Sequence, residues 1–300
     1  MRSIKMDTFD GKRMNVNIWD DVTDIIGAVV ISHGMAEHSE RYDHFARFLN
    51  ENGYVVLADD HRGHRYNNAG AKGVVDGDSF SQTVEDMRTV VEFAAKTYNT
   101  DVCLIGHSYG SFLSQRFIEL YSGKIKACIL SGTAHMKNPL IMAGNAIAGI
   151  QKAIFGGDKI GYFIDKLSFG AYNKPFEAQG QKFAWLSRDK EQVAKYEADE
   201  YCGYPMSIGF YKSFFSGVLN MYGEAINNVR KDFPILIAVG SDDPVSNKAA
   251  LANKLYQFYL EKGFTNVTYK VYDGARHEIL NETNKDEVYA DFLAFLKKNG

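Results

Sequence analysis

Cysteine is scarce: Cys103, Cys128 and Cys202 are the only three among 300 residues. Three thiols do not make a disulfide framework, and with no C-x-x-C pair they carry no zinc or thiol-redox signature. They fit reduced thiols in a cytosolic protein. An excess of one charge is missing too. Lys and Arg number 34 against 37 Asp and Glu, a net charge of −3. Such balance leaves no electrostatic footprint for nucleic acid or for an anionic membrane. Long apolar runs are absent. The longest charge-free apolar stretch, between Lys137 and Lys152, is too short to span a bilayer. The first residues, MRSIKMDTFDGKRMNVNIWDD, are interrupted by charges every few positions and lack the apolar region of a signal peptide. The expectation is a soluble, cytoplasmic protein. There are no internal repeats or low-complexity tracts. No segment resembles a phosphate loop or a G-x-G-x-x-G fingerprint.

What is present is an ordinary globular composition, 45% hydrophobic and 24% charged, which argues against disorder. Ser3–Thr8 and Asn15–Trp19, joined by Asp10-Gly11, read as an antiparallel hairpin. Continuous apolar runs at Ala28–Ser32, Tyr54–Ala58, Val102–Ile105 and Ala127–Leu130 suit strands covered on both faces. Helical patterns alternate with them: Tyr42–Asn52, Val84 to Tyr98, and Ser111–Tyr121. The alternation returns with strand Pro234–Val239, helix Lys248–Lys262 and strand Val267–Tyr272. Asn284 with Glu287 resembles a capping box opening a last helix. The fold class is therefore α/β, a mostly parallel, doubly wound sheet. Residues 134–222 break the pattern with helical, aromatic-rich sequence. They read as a helical lid inserted between two strands of one core, formed by residues 1–133 and 223–300.

The sharpest local signal is Gly106-His107-Ser108-Tyr109-Gly110. A G-x-S-x-G pentapeptide between a strand and a helix is the setting of a strained turn that lifts a serine above the sheet. Side chains at either glycine would clash in so tight a turn. Ser108 is the candidate nucleophile, and a serine hydroxyl needs a base beside it. In such folds the acid and then the histidine follow the serine in the chain. Of eight histidines only His277 follows the terminal strand, at a strand end where open α/β sheets place their sites. The acid belongs to the loop after Pro234–Val239, which offers Asp242 and Asp243; spacing alone does not choose between them. The Tyr109 N–H and, after Ala28–Ser32, the Met35 N–H are candidates for an oxyanion hole. His61 and His64, three apart in a glycine-containing loop, read as structural rather than as metal ligands.

These blocks together resemble the monoacylglycerol lipase and lysophospholipase branch of the α/β-hydrolases. His33-Gly34-Met35-Ala36-Glu37-His38-Ser39-Glu40-Arg41-Tyr42 is similar to its H-G-x-G-E-H-S-x-R-Y block, and Asp60–His64 to its D-x-R-G-H-G block. Gly106–Gly110 matches its elbow, and His277-Glu278 its terminal histidine block. Gly240–Val245 matches its G-x-x-D-x-V block, which selects Asp243. The resemblance implies an α/β-hydrolase fold with a helical lid that sets substrate choice. It implies a serine ester hydrolase using Ser108, Asp243 and His277, with Met35 and Tyr109 N–H as oxyanion donors and neither cofactor nor metal. A small-molecule ester with an apolar acyl group is the expected partner. A peptidase or perhydrolase on the same fold, or a receptor that keeps the pocket without turnover, are the alternatives. The chain departs from the pattern at Ala36, Glu40, Arg65 and Ser111.

Overall fold

Eight strands form one sheet in the order β1-β2-β4-β3-β5-β6-β7-β8, in a computed structural model that describes all 300 residues. β1 (Arg2–Asp7) and β2 (Arg13–Trp19) make the hairpin around Asp10-Gly11, with Met6 opposite Met14. β3 (Gly27–Ser32), β4 (Tyr54–Asp59), β5 (Val102–His107), β6 (Cys128–Ser131), β7 (Ile235–Gly240) and β8 (Val267–Tyr272) complete it. β2 runs antiparallel to both its neighbours, and every other adjacent pair is parallel.

Helices fill the crossovers. α1 (Asp43–Glu51) follows β3, α2 (Ser79–Tyr98) follows β4, and α3 (Tyr109–Tyr121) follows β5. Between β6 and β7 come α4 (Pro139–Phe155), α5 (Tyr162–Phe169), α6 (Lys190–Ala198) and α7 (Ile208–Leu219). α8 (Ala250–Glu261) follows β7, and α9 (Lys285–Asn299) ends the chain. Alternate strand residues serve opposite faces. Val29, Ile31, Val56 and Ile105 join Phe45 and Leu49 of α1 and Phe292 of α9 in one buried cluster. Val30, Leu57 and Leu104 join Met87 of α2 and Leu113 and Phe117 of α3 in the other. Both faces are covered, which is why these strands read as unbroken apolar runs.

The helices between β6 and β7 differ among themselves. α7 is buried through Phe210, Phe214 and Phe215. It lies so close to α2 that a Cβ on Gly217 would stand 2.2 Å from the Phe80 ring. α4 and α5 instead expose Leu140, Ile150, Ile154, Phe155, Tyr162, Phe163 and Leu167.

Most strand ends shift by one or two residues and α2 begins at Ser79 rather than Val84; three further differences have a clear local reason. α3 begins at Tyr109 rather than Ser111, because the Ser111 and Phe112 N–H groups both donate to the Ser108 carbonyl. α8 begins two residues later than Lys248, because Asn247, Lys248 and Ala249 all have left-handed φ, 50°, 53° and 67°. Asn284 does not cap α9: its Oδ1 accepts from Arg188 Nη2 at 2.8 Å, and its amide donates to Glu287.

Candidate active site

The β5–α3 turn is held open for Ser108 by close backbone approach. A Cβ on Gly106 would lie 2.3 Å from Ser114 Oγ, and one on Gly110 would lie 2.0 Å from the Ser32 carbonyl oxygen. No side chain fits at either position. Ser108 sits at φ 52°, ψ −118°, a sparsely populated conformation of the kind found at functional turns. Its N–H donates to Ser131 O at 3.0 Å, which fixes the turn to the next strand. α3 points its N-terminus at this residue, so partial positive charge gathers there. Ser111, where the family pattern has glycine, is fully buried and donates to the Ser108 carbonyl at 2.6 Å. It adds a tie to the turn rather than loosening it.

His277 follows β8 and Asp243 follows β7, and the two meet. His277 Nδ1 donates to Asp243 Oδ1 at 2.9 Å, and Val245 N–H donates to the same oxygen at 2.8 Å. Asp243 is fully buried, whereas Asp242 is half-buried and its carboxylate makes no hydrogen bond. Burial by itself would lower the His277 pKa, but Asp243, with help from Glu278 and Glu37, outweighs it and raises it. The His277 ring lies 4.8 Å from that of His107 and 5.2 Å from Trp185, which comes from the segment between α5 and α6. Gly132, beside Ser131, passes so close that a Cβ would stand 3.1 Å from His277 Cε1. No hydrogen bond joins Ser108 to His277; such contacts are often long until a substrate is bound.

The loop after β3 carries Met35 past the serine. A Cβ on Gly34 would lie 3.3 Å from Ser108 Cβ. Neither Met35 N–H nor Tyr109 N–H is taken up by another group of the chain. Three histidines brace this loop from beneath. His33 Nδ1 donates to Gly34 O, and its Nε2 accepts from His61 N–H at 2.9 Å. His64 Nδ1 donates to Arg62 O, and its Nε2 accepts from Ala36 N–H at 3.0 Å. His61 sits between Asp59 and Ser32, 2.8 and 2.9 Å away, and stacks on His33 at 4.0 Å. Every ring nitrogen of the three is hydrogen-bonded within the fold. Burial and mutual repulsion push His33 well below the ordinary histidine pKa and His64 down to about 3. His33 and His64 act as neutral struts.

A buried ion network joins this loop to His277, and spacing did not reveal it. Arg41 Nη1 and Nη2 each bond Glu278 at 2.7 Å, and Nη1 also reaches Glu37 at 2.5 Å. Glu37 in turn accepts from Gly34 N–H and the Tyr42 hydroxyl. Burial would raise the Glu278 pKa, but Arg41 outweighs it and holds it at about 2. Arg276 ties down the segment from the insertion. Its Nη1 donates to Gln179 Oε1, Ala184 O and Ser187 O, and its guanidinium lies 4.1 Å from the Phe176 ring centre.

A doubly wound sheet with an elbow serine and a histidine–aspartate pair at its strand ends defines an α/β-hydrolase. A family model described as serine aminopeptidase, S33, matches residues 23–284, and the chain belongs to this family. It is 30% identical over 291 residues to a monoacylglycerol lipase of Mycolicibacterium smegmatis, covering 95% of this chain and 93% of that one. It is 26% identical to human monoglyceride lipase over 277 residues, covering 91% of this chain and 82% of that one. A carboxyl esterase structure from Bacillus coagulans superposes with a TM-score of 0.89 at 26% identity, covering 99% and 98% of the two chains. The chain is a monoacylglycerol lipase-like carboxylic ester hydrolase. No helix is long and apolar enough to cross a membrane.

Proposed function

We propose that the chain hydrolyses esters of apolar acyl groups, such as monoacylglycerols or lysophospholipids, through an acyl-enzyme on Ser108. The observation that carries this reading is the His277–Asp243 pair beside the glycine-flanked serine. Ser108 Oγ attacks the ester carbonyl while His277 takes its proton. Asp243 holds the Nδ1–H tautomer and stabilises the imidazolium. The N–H groups of Met35 and Tyr109 receive the developing oxyanion, with the α3 N-terminus behind them. His277 returns its proton to the leaving alcohol, and water, activated by the same ring, releases the acid. Residues 134–222 act as a lid, and their apolar side chains wall the acyl group.

The test is a chain-length series of monoacylglycerols and p-nitrophenyl esters alongside peptide anilides. Each buried methylene contributes about 0.8 kcal/mol, roughly fourfold in binding, so kcat/KM should climb with acyl length until the pocket is full. Ser108→Ala should lose activity by several orders of magnitude with an unchanged fold. Turnover of anilides but not esters, or activity independent of acyl length, would reject the reading.

A further inference from the structure

A thiol, an imidazole and a carboxylate converge where the insertion crosses the loop after β3. His38 Nε2 lies 2.8 Å from Asp199 Oδ2. The ligand atoms of His38, Asp199 and Cys202 all lie within 4.8 Å of one another. Asp199 and Cys202 sit just beyond α6, folded into one turn by the bond from Cys202 N–H to Asp199 O at 3.0 Å. Ester hydrolysis uses none of the three. Cys103 and Cys128 are buried within β5 and β6, and only Cys202 is partly open to solvent.

The charge around the cluster has a sign. Glu37, Asp199 and Glu278 act on Cys202 against Arg41, and Arg65 Nη1 stands 3.5 Å from His38 Nδ1, so three carboxylates face two guanidinium groups. A surplus of carboxylates around a half-buried thiol suits a dication. A nitrogen, an oxygen and a soft sulfur donor together favour zinc over magnesium or calcium, which prefer oxygen alone.

We propose that His38, Asp199 and Cys202 form a three-ligand site for a thiophilic divalent cation of the zinc class, with water as fourth ligand. Zinc distances to sulfur, nitrogen and oxygen put tetrahedral ligand atoms roughly 3.3–3.6 Å apart. The His38–Asp199 pair, at 2.8 Å, therefore opens to admit the ion. The Asp199 side chain is 31% exposed and has room for that shift. On binding, the Cys202 thiol releases its proton to solvent. The His38 ring proton moves from Nε2 to Nδ1, so that Nε2 presents its lone pair. Arg65 Nη1, 3.5 Å from Nδ1, withdraws onto Glu40, with which it is already paired at 2.6 Å. A cation held there ties the segment after α6 to the loop that carries Met35.

Co2+ is the probe, because thiolate ligation gives it an intense near-ultraviolet charge-transfer band and tetrahedral geometry a strong visible spectrum. The full chain, stripped with chelator and kept reduced, should bind one Co2+ with both signatures and yield it to Zn2+. Cys202→Ser should abolish the charge-transfer band and weaken Zn2+ binding at least about tenfold. Asp199→Asn should weaken it comparably. Circular dichroism and melting without metal check that both variants fold. The wild-type spectrum alone decides whether a thiolate is bound, so the test survives a variant that does not. Co2+ bound without a thiolate band, or equal Zn2+ affinity in wild type and Cys202→Ser, overturns the proposal and assigns any cation to other ligands such as His277.

Discussion

At residues 242 and 243 two identical side chains stand in opposite settings. Asp243 is fully buried against His277, and Asp242 faces partly into solvent. Asp243→Asn replaces an acceptor with a group that favours the wrong imidazole tautomer and leaves the imidazolium uncompensated. It should cut kcat by about 10³–10⁴-fold, while Asp242→Asn changes it less than about threefold. Steady-state rates on one soluble ester decide it, and equal losses would reject the assignment. The departures from the family pattern are also legible at this scale. Ala36 and Arg65 replace glycines yet keep left-handed φ, 54° and 41°. Arg65 and Glu40, which depart separately in the sequence, pair with each other at 2.6 Å. Their exposure is limited, 11% and 34%. A double-mutant cycle with Glu40→Ser and Arg65→Gly should give a coupling of about 1 kcal/mol in urea unfolding. Additive effects would mean that the pair contributes no interaction energy to the fold.

At the scale of elements, the segment between α5 and α6 is fastened to the loop that carries His277. Arg276 supplies three donations to it, Glu278 N–H donates to Leu186 O, and Arg188 pairs with the buried Glu282 at 2.9 Å. Arg276→Ala leaves two buried carbonyls without their donor, an expected loss of about 2–3 kcal/mol. In a chain of 300 residues that lowers Tm by roughly 3–5 °C. kcat should fall with it, because Trp185 loses its hold beside His277; an unchanged Tm would show that the segment is held elsewhere. This fastening was not legible in the sequence. The strands and the elbow were, because each is written in local periodicity or a short motif; the choice of Asp243 over Asp242 came only from the resemblance of Gly240–Val245 to the family block. Arg276 and Ala184, or Arg41 and Glu278, meet only through the fold, 92 and 237 residues apart. The short turns between α5 and α6 have no apolar period to announce them.

Across the whole molecule, buried histidines set how it answers to pH, in two opposing ways. His33, His64, His107 and His135 are buried neutral: burial first, then repulsion between a protonated ring and its neighbouring imidazoles, Arg41 or lysines, pushes His33 far down, His64 and His107 to about 3 and His135 to about 4. An unfolded chain takes up protons on all four near pH 6.5, and the folded chain does not. Their contribution is complete above about pH 6.5 and is lost as pH falls below it, each by about 1.4 kcal/mol per pH unit. Four together outrun a typical total stability of about 5–15 kcal/mol within one to three units. Unfolding should therefore set in between about pH 5.5 and 4, before most carboxylates titrate. His277 has the opposite sign. Its raised pKa contributes stability that is complete below about pH 6.5 and is lost as pH rises through the folded value. In the proposed mechanism that same pKa governs catalysis, since the base must be unprotonated. The acid limb of kcat/KM should lie above the 6.5 of an ordinary histidine. Urea midpoints from pH 4.5 to 8.5, with a rate profile over the range where the fold is intact, separate the two effects. Stability that stays flat from pH 7 to 5 would mean that water reaches the histidine struts beneath the Met35 loop. An acid limb below 6.5 would mean that burial, not Asp243, dominates His277.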